Sequence, residues 1–137
     1  MAVVVFDTDV LIGFRHRADA HHLEAIERVR RALEPGNRRL LSAANYTELL
    51  VGPLRAGGGT EAEAVEAMLG GLGVETVPVD ARVARRAASV RARTNLKLPD
   101  AYAVATAVAA RDRDDDVRLE SFDERVLAAF AQLDRDR

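Results

Sequence analysis

The chain has 137 residues, 48% apolar and 31% charged, a balance that suits one soluble globular domain with a full core and argues against disorder. No apolar run approaches the ~20 residues of a membrane span, Ala2 to Phe6 is too short for a signal peptide, and the lack of cysteine removes disulfides, thiolate nucleophiles and cysteine zinc sites. The net charge of −2 decides nothing about nucleic acid, since every basic residue but Lys97 is arginine in an alanine-rich chain; the cytoplasm is the expected compartment.

Val3-Val4-Val5-Phe6 is a continuous β-branched run that predicts a central strand covered on both faces, ending at Asp7-Thr8-Asp9. Between Asp19 and about Leu33, Leu23, Ile26, Val29 and Leu33 recur at helical spacing, and Glu34-Pro35-Gly36-Asn37 ends the pattern. Arg39 to Ala43 predicts a second strand. Ala44 to about Arg55 predicts a helix broken near Gly52-Pro53 and followed by Gly57-Gly58-Gly59. A further helix opens at Thr60, with Glu63 completing a capping box, and closes at Gly70, Gly71 and Gly73.

Val74 to Val79 predicts a third strand, with Asp80 as N-cap of a helix running to about Thr94. Pro99 suits the first turn of the next helix, which carries no charge from Ala101 to Ala110 and should be buried. Arg111 to Asp116 is a charged loop, Val117 to Ser121 a last strand, and Asp123 to about Leu133 a final helix. Strands alternating with helices imply an α/β fold with a mainly parallel sheet in one domain spanning 1–137.

Four acids stand out. Asp7 and Asp123 each follow an apolar strand, where open parallel sheets bind ligands, although either could simply cap a helix. Glu48 shares a helical stripe with Ala44 and Val51; it is either turned toward the core or a solvated residue on a helix edge. Asp100 lies in the first turn of the uncharged helix, where the helix dipole alone would favour it. Gathered in one crevice, such carboxylates require a neutralising cation. Oxygen ligands without histidine or cysteine suit Mg²⁺ or Mn²⁺, the apparatus of phosphodiester hydrolysis.

These segments resemble the PIN-domain ribonucleases, and among them the VapC-like toxins of toxin–antitoxin pairs. Val4 to Ile12 is similar to the family's opening, whose metal-binding aspartate falls on Asp7. Ser42-Ala43-Ala44-Asn45-Tyr46-Thr47-Glu48-Leu49 resembles the second motif, with its glutamate on Glu48. Leu96 to Ala107 resembles the third, with its acid on Asp100, and Ser121-Phe122-Asp123 the fourth, with Asp123 as acid and Ser121 as a supporting hydroxyl. Thr8 and Asp9 are further supporting positions, Asp9 standing where the family usually has asparagine. The resemblance implies a three-layer α/β/α sandwich and a Mg²⁺- or Mn²⁺-dependent endoribonuclease with Asp7, Glu48, Asp100 and Asp123 as catalytic and metal-binding residues. It also implies an RNA substrate, a homodimer and a cognate antitoxin protein. The tail from Gln132 to Arg137 shows no clear final strand of the kind many members have.

Arg82, Arg85, Arg86 and Arg93 share one helical face and would suit RNA phosphates, or would be a solvated face. His16, His21 and His22 have no acid partners at ligand spacing, and Gly57-Gly58-Gly59 lacks the residues of a phosphate-binding loop. One rival is a haloacid dehalogenase-like phosphatase using Asp7 as nucleophile and Asp9 as acid/base, with Lys97 as the needed lysine. Another is a non-catalytic RNA- or protein-binding module of the same fold.

Overall fold

Val3–Phe6 forms β1, and all four of its residues are buried. The run is continuously apolar because both faces are covered: Val3 and Val5 join one core, Val4 and Phe6 the other. In the computed structural model, which describes residues 1–135, the later elements are α1 (Thr8–Arg15), α2 (His22–Ala32), β2 (Arg38–Ser42), α3 (Ala43–Gly71), β3 (Val74–Val77), α4 (Ala81–Thr94), α5 (Leu98–Ala110), β4 (Val117–Glu120) and α6 (Glu124–Arg135).

The strands pair in the order β3-β2-β1-β4, and every pair is parallel. Helices α1, α2 and α3 cover one face around Val4, Phe6 and Leu41; α4, α5 and α6 cover the other around Val3, Val5 and Leu119. The fold is therefore a three-layer α/β/α sandwich. Its strand order reverses at β1, with β2 and β3 on one side and β4 on the other. The crevice outside the carboxyl ends of β1 and β4 is the topological switch point, where such sheets bind ligands.

Helix α5 behaves as its uncharged sequence demands, with Ala101 and Ala103 to Val108 all buried. Asp80 caps α4 by accepting from the Val83 N–H (2.9 Å), and Asn95, in the left-handed conformation, ends it.

Three local expectations are corrected. Helix α2 buries Ala25, Val29 and Ala32, whereas Leu23 is 82% and Leu33 42% exposed. The reason is close packing: a Cβ on Gly13 of α1 would lie 3.2 Å from the Ala25 Cβ, so only small residues fit at this crossing. The interruption in α3 falls at Gly58 (φ 65°, ψ −146°), while Pro53 is accommodated within the helix. Strand β3 ends at Val77, because Val79 and Asp80 already belong to the turn into α4. Residues 132–135 continue α6, and Asp136 and Arg137 lie outside the described residues. No helix among the described residues is long and apolar enough to cross a membrane.

Candidate active site

Asp7 leaves β1 at the switch point and is 3% exposed. Its Oδ1 accepts from the Thr8 N–H at 2.9 Å, so it does cap α1, and its Oδ2 accepts from the Ser121 hydroxyl at 2.8 Å. Ser121 follows β4, is fully buried, and accepts the Asp123 N–H at 3.0 Å. One hydroxyl thus ties the end of β1 to the start of the last helix. Asp123 accepts in turn from the Arg125 N–H at 2.9 Å, and so caps α6 as its local sequence allows. Capping and a place in the crevice are compatible for both acids.

Asp9, in the first turn of α1, accepts the Phe122 N–H at 2.9 Å through Oδ2, with the Ser121 hydroxyl 3.4 Å away. Its Oδ1 is buried and has no hydrogen-bond partner. Asp100 stands in the first turn of α5, half-buried.

The electrostatics bind these positions into one group. Burial, then the Asp9 charge and after it Asp100, push Asp7 from the ordinary 3.8 up to about 7, against the lowering effect of its hydrogen bonds. Asp9 is raised by burial and by Asp123, although its hydrogen bonds to Phe122, Val10 and Ser121 oppose this. Asp100 is raised by burial, then by Asp123, Glu48 and Asp9, with Lys97 opposing.

Glu48 departs from one of the two readings its spacing allowed. It is exposed, as is Val51 on the same stripe, so this face of α3 borders solvent and not the core. Its charge is nonetheless felt by Asp100, which puts it at the rim of the acidic crevice.

Asn45 was passed over as a site residue, although it lies one turn before Glu48. It is fully buried; its side-chain N–H donates to the Pro99 carbonyl at 2.9 Å, and its own carbonyl lies 3.4 Å from the Thr8 hydroxyl. Asn45 therefore joins the starts of α3, α5 and α1, the helices that carry Glu48, Asp100 and Asp9. Its only signal in the sequence is its place in the segment Ser42 to Leu49, three residues before Glu48.

Of Arg82, Arg85, Arg86 and Arg93 on α4, two lie in a cleft of their own. Arg82 and Arg86 line a cleft of about 430 Å³ with Val3 and Arg38, which begin β1 and β2, at the opposite edge of the sheet. Arg86 pairs there with Asp112 at 3.1 Å. The histidines do not gather as ligands: the His22 ring contacts the Gly13 carbonyl at 2.7 Å, and His21 stacks on Phe122.

Among the described residues no three acidic or histidine side chains are grouped so as to enclose an ion. The donor set nevertheless suits a hard cation, since Asp9 presents an unpartnered buried oxygen and Asp7 is crowded by like charge. A cation here would draw on fewer than three carboxylates as they stand, water and substrate phosphate filling its shell, which is the habit of Mg²⁺.

The model of the PIN-domain family matches residues 4–135. Three solved structures share the fold. Mycobacterium tuberculosis VapC20, described as a sarcin-ricin loop cleaving toxin, superposes with a TM-score of 0.69 at 21% identity, covering 94% of this chain and 95% of that one. A toxin–antitoxin complex from Klebsiella pneumoniae gives 0.67 at 26% identity, covering 93% and 91%. VapBC-1 from nontypeable Haemophilus influenzae gives 0.67 at 14% identity, covering 96% and 94%. No curated protein sequence matches the chain.

Proposed function

The chain belongs to the PIN-domain family, and on that premise we propose that it is a metal-dependent endoribonuclease, the toxin of a toxin–antitoxin pair, acting on RNA phosphodiester bonds in the cytoplasm. The observation that carries this reading is the convergence of Asp7 and Asp9 on the one Ser121 hydroxyl at the switch point of the sheet, where the charges of Asp100 and Asp123 are also felt. VapC20 and the Klebsiella complex, as structures of the same fold, support the toxin assignment and an antitoxin partner. A homodimer remains part of the proposal.

In this reading Asp7, Asp100, Glu48 and Asp123 are the catalytic set around Mg²⁺ or Mn²⁺, fewer than three of them touching the cation directly and the rest acting through its water shell, and Thr8, Asp9 and Ser121 support them. When bound, the cation supplies an activated water and neutralises charge developing on the phosphate. The chain's own contribution is placement. Ser121 and the Thr8 N–H hold both oxygens of Asp7, and Phe122 holds Asp9, so the carboxylates keep their orientation despite repulsion. Asn45 keeps the Asp100 end of α5 against the start of α3. Family membership argues against the dehalogenase-like alternative, and the intact acids argue against a purely binding module.

The test is cleavage of a mixed RNA by purified protein with Mg²⁺ or Mn²⁺, with and without excess chelator. Metal-dependent cleavage at internal sites is expected. Cleavage that survives exhaustive chelation, or none with either metal, overturns the reading.

A further inference from the structure

Beside the acidic crevice the molecule carries a second feature of opposite sign. A cavity of about 280 Å³ lies between α2 and β4 and is lined by Val4, Arg28, Arg31, Ala32, Arg118 and Glu120. Among the described residues strand β4 pairs with β1 alone, so the cavity lies along the edge of the described sheet. Arg118 and Glu120 sit opposite Val4 and Phe6 in register and therefore face α2. Three guanidinium groups meet one carboxylate, and that carboxylate is already bound by Arg28 at 3.2 Å. Arg31 is exposed, and the nearest acid to Arg118 is Asp116 at a marginal 3.5 Å between two half-exposed side chains. Such exposed pairs are worth little, so the cavity presents a net positive lining.

Toward the crevice this lining runs into an aromatic stack. Arg28 is fixed by Glu24 (2.9 Å) and by the Ser121 carbonyl (3.0 Å), and its guanidinium lies 4.9 Å from the Phe122 ring centroid. His21, exposed at the start of α2, stacks on Phe122 with centroids 4.4 Å apart and planes 15° from parallel. The Phe122 N–H is the donor to Asp9. The exposed His21 ring thus lies one stacked ring from the acids, and Arg31 and the weakly paired Arg118 continue from it down the edge of β4.

Proteins that hold single-stranded nucleic acid combine these two elements, rings on which bases stack and a positive groove that tracks phosphates. We propose that this tract is the single-strand RNA path of the protein, with a base stacked on His21 and backbone phosphates held by Arg31 and Arg118. The proposal rests on the ribonuclease reading for its substrate class. It puts phosphate binding here and not at Arg82 and Arg86, whose cleft takes in the starts of β1 and β2.

The experiment measures binding of a fluorescent single-stranded oligoribonucleotide by anisotropy, in chelator, across a salt titration. The Arg31→Ala/Arg118→Ala double variant should bind more weakly and lower the slope of log K against log salt by about 1.4, two phosphate contacts at about 0.7 each. Arg31→Lys/Arg118→Lys should restore most of that slope. His21→Ala should weaken binding about fivefold or more and leave the slope unchanged. Arg82→Ala/Arg85→Ala should change neither.

Unchanged affinity and slope in the Arg31/Arg118 double variant, or a loss appearing instead in the α4 variant, overturns the proposal. So does an acidic peptide that binds wild type through Arg31 and Arg118 while the RNA stays bound, which would assign the cavity to a protein partner. Because binding is read without cleavage, failure of the ribonuclease reading shows separately, as wild type that binds RNA and never cuts it.

Discussion

Replacing Asp9 by asparagine isolates the electrostatic tension of the crevice. Asp7 Oδ2 and Asp9 Oδ2 lie 2.8 and 3.4 Å from the same Ser121 hydroxyl oxygen, so they stand no more than about 6 Å apart. Two charges at that distance repel by on the order of 3 kcal/mol at an effective dielectric of ~20. Asp7 has a folded value of about 7 against an ordinary 3.8, so the folded protein holds a proton that the unfolded chain releases between those pH values. Stability from this group is complete below about pH 4 and is lost as pH climbs through 7, by up to ~4 kcal/mol. Asp9→Asn removes the neighbouring charge and leaves the burial. In chelator, its melting temperature should exceed that of wild type by roughly 10 °C at pH 8 and differ little at pH 5, where protonation of Asp7 already relieves the repulsion in wild type. Thermal melts of both proteins from pH 5 to 8.5 read the effect. An equal gain at both ends would show that charge repulsion is not its cause. A loss at pH 8 would show that the carboxylate's hydrogen bond to Phe122 outweighs the repulsion. RNA cleavage should remain largely intact in this variant, since Asp9 is a supporting residue.

Asp100→Asn should lower RNA cleavage by about two orders of magnitude or more, raise the melting temperature of the metal-free protein, and reduce the stabilisation gained in a Mg²⁺ or Mn²⁺ titration. Equal metal-induced shifts in variant and wild type, measured by thermal melts, would remove Asp100 from the metal-binding set. Asn45→Ala leaves the Pro99 carbonyl without its donor and empties a buried site; urea unfolding should show a loss of about 1–3 kcal/mol. Loss of cleavage in Asn45→Ala at temperatures where it remains folded would mark Asn45 as a positioning residue for Asp100.

The sequence by itself determined the layers and the place of the two acids that follow strands. A continuous β-branched strand is stable only between two covered faces, so Val3 to Phe6 predicted the sandwich. An uncharged helix has no face to give to solvent, so α5 had to be central. Acids directly after apolar strands fall at the carboxyl edge of a parallel sheet, which located Asp7 and Asp123 in advance. Tertiary packing decided what local periodicity leaves open. Helix α2 offers a leucine-bearing stripe and an alanine-bearing one, and the close approach of Gly13 to Ala25 selected the small residues for the core. Glu48 could face the core or solvent at the same spacing, and the α3 orientation set by the buried Asn45 placed it at the rim. The arginines of α4 and of the α2–β4 edge are alike as sequence. Only the tertiary fold puts Arg82 and Arg86 in a cleft with Val3 and Arg38, at the starts of β1 and β2, and only the register of β4 turns Arg118 toward α2.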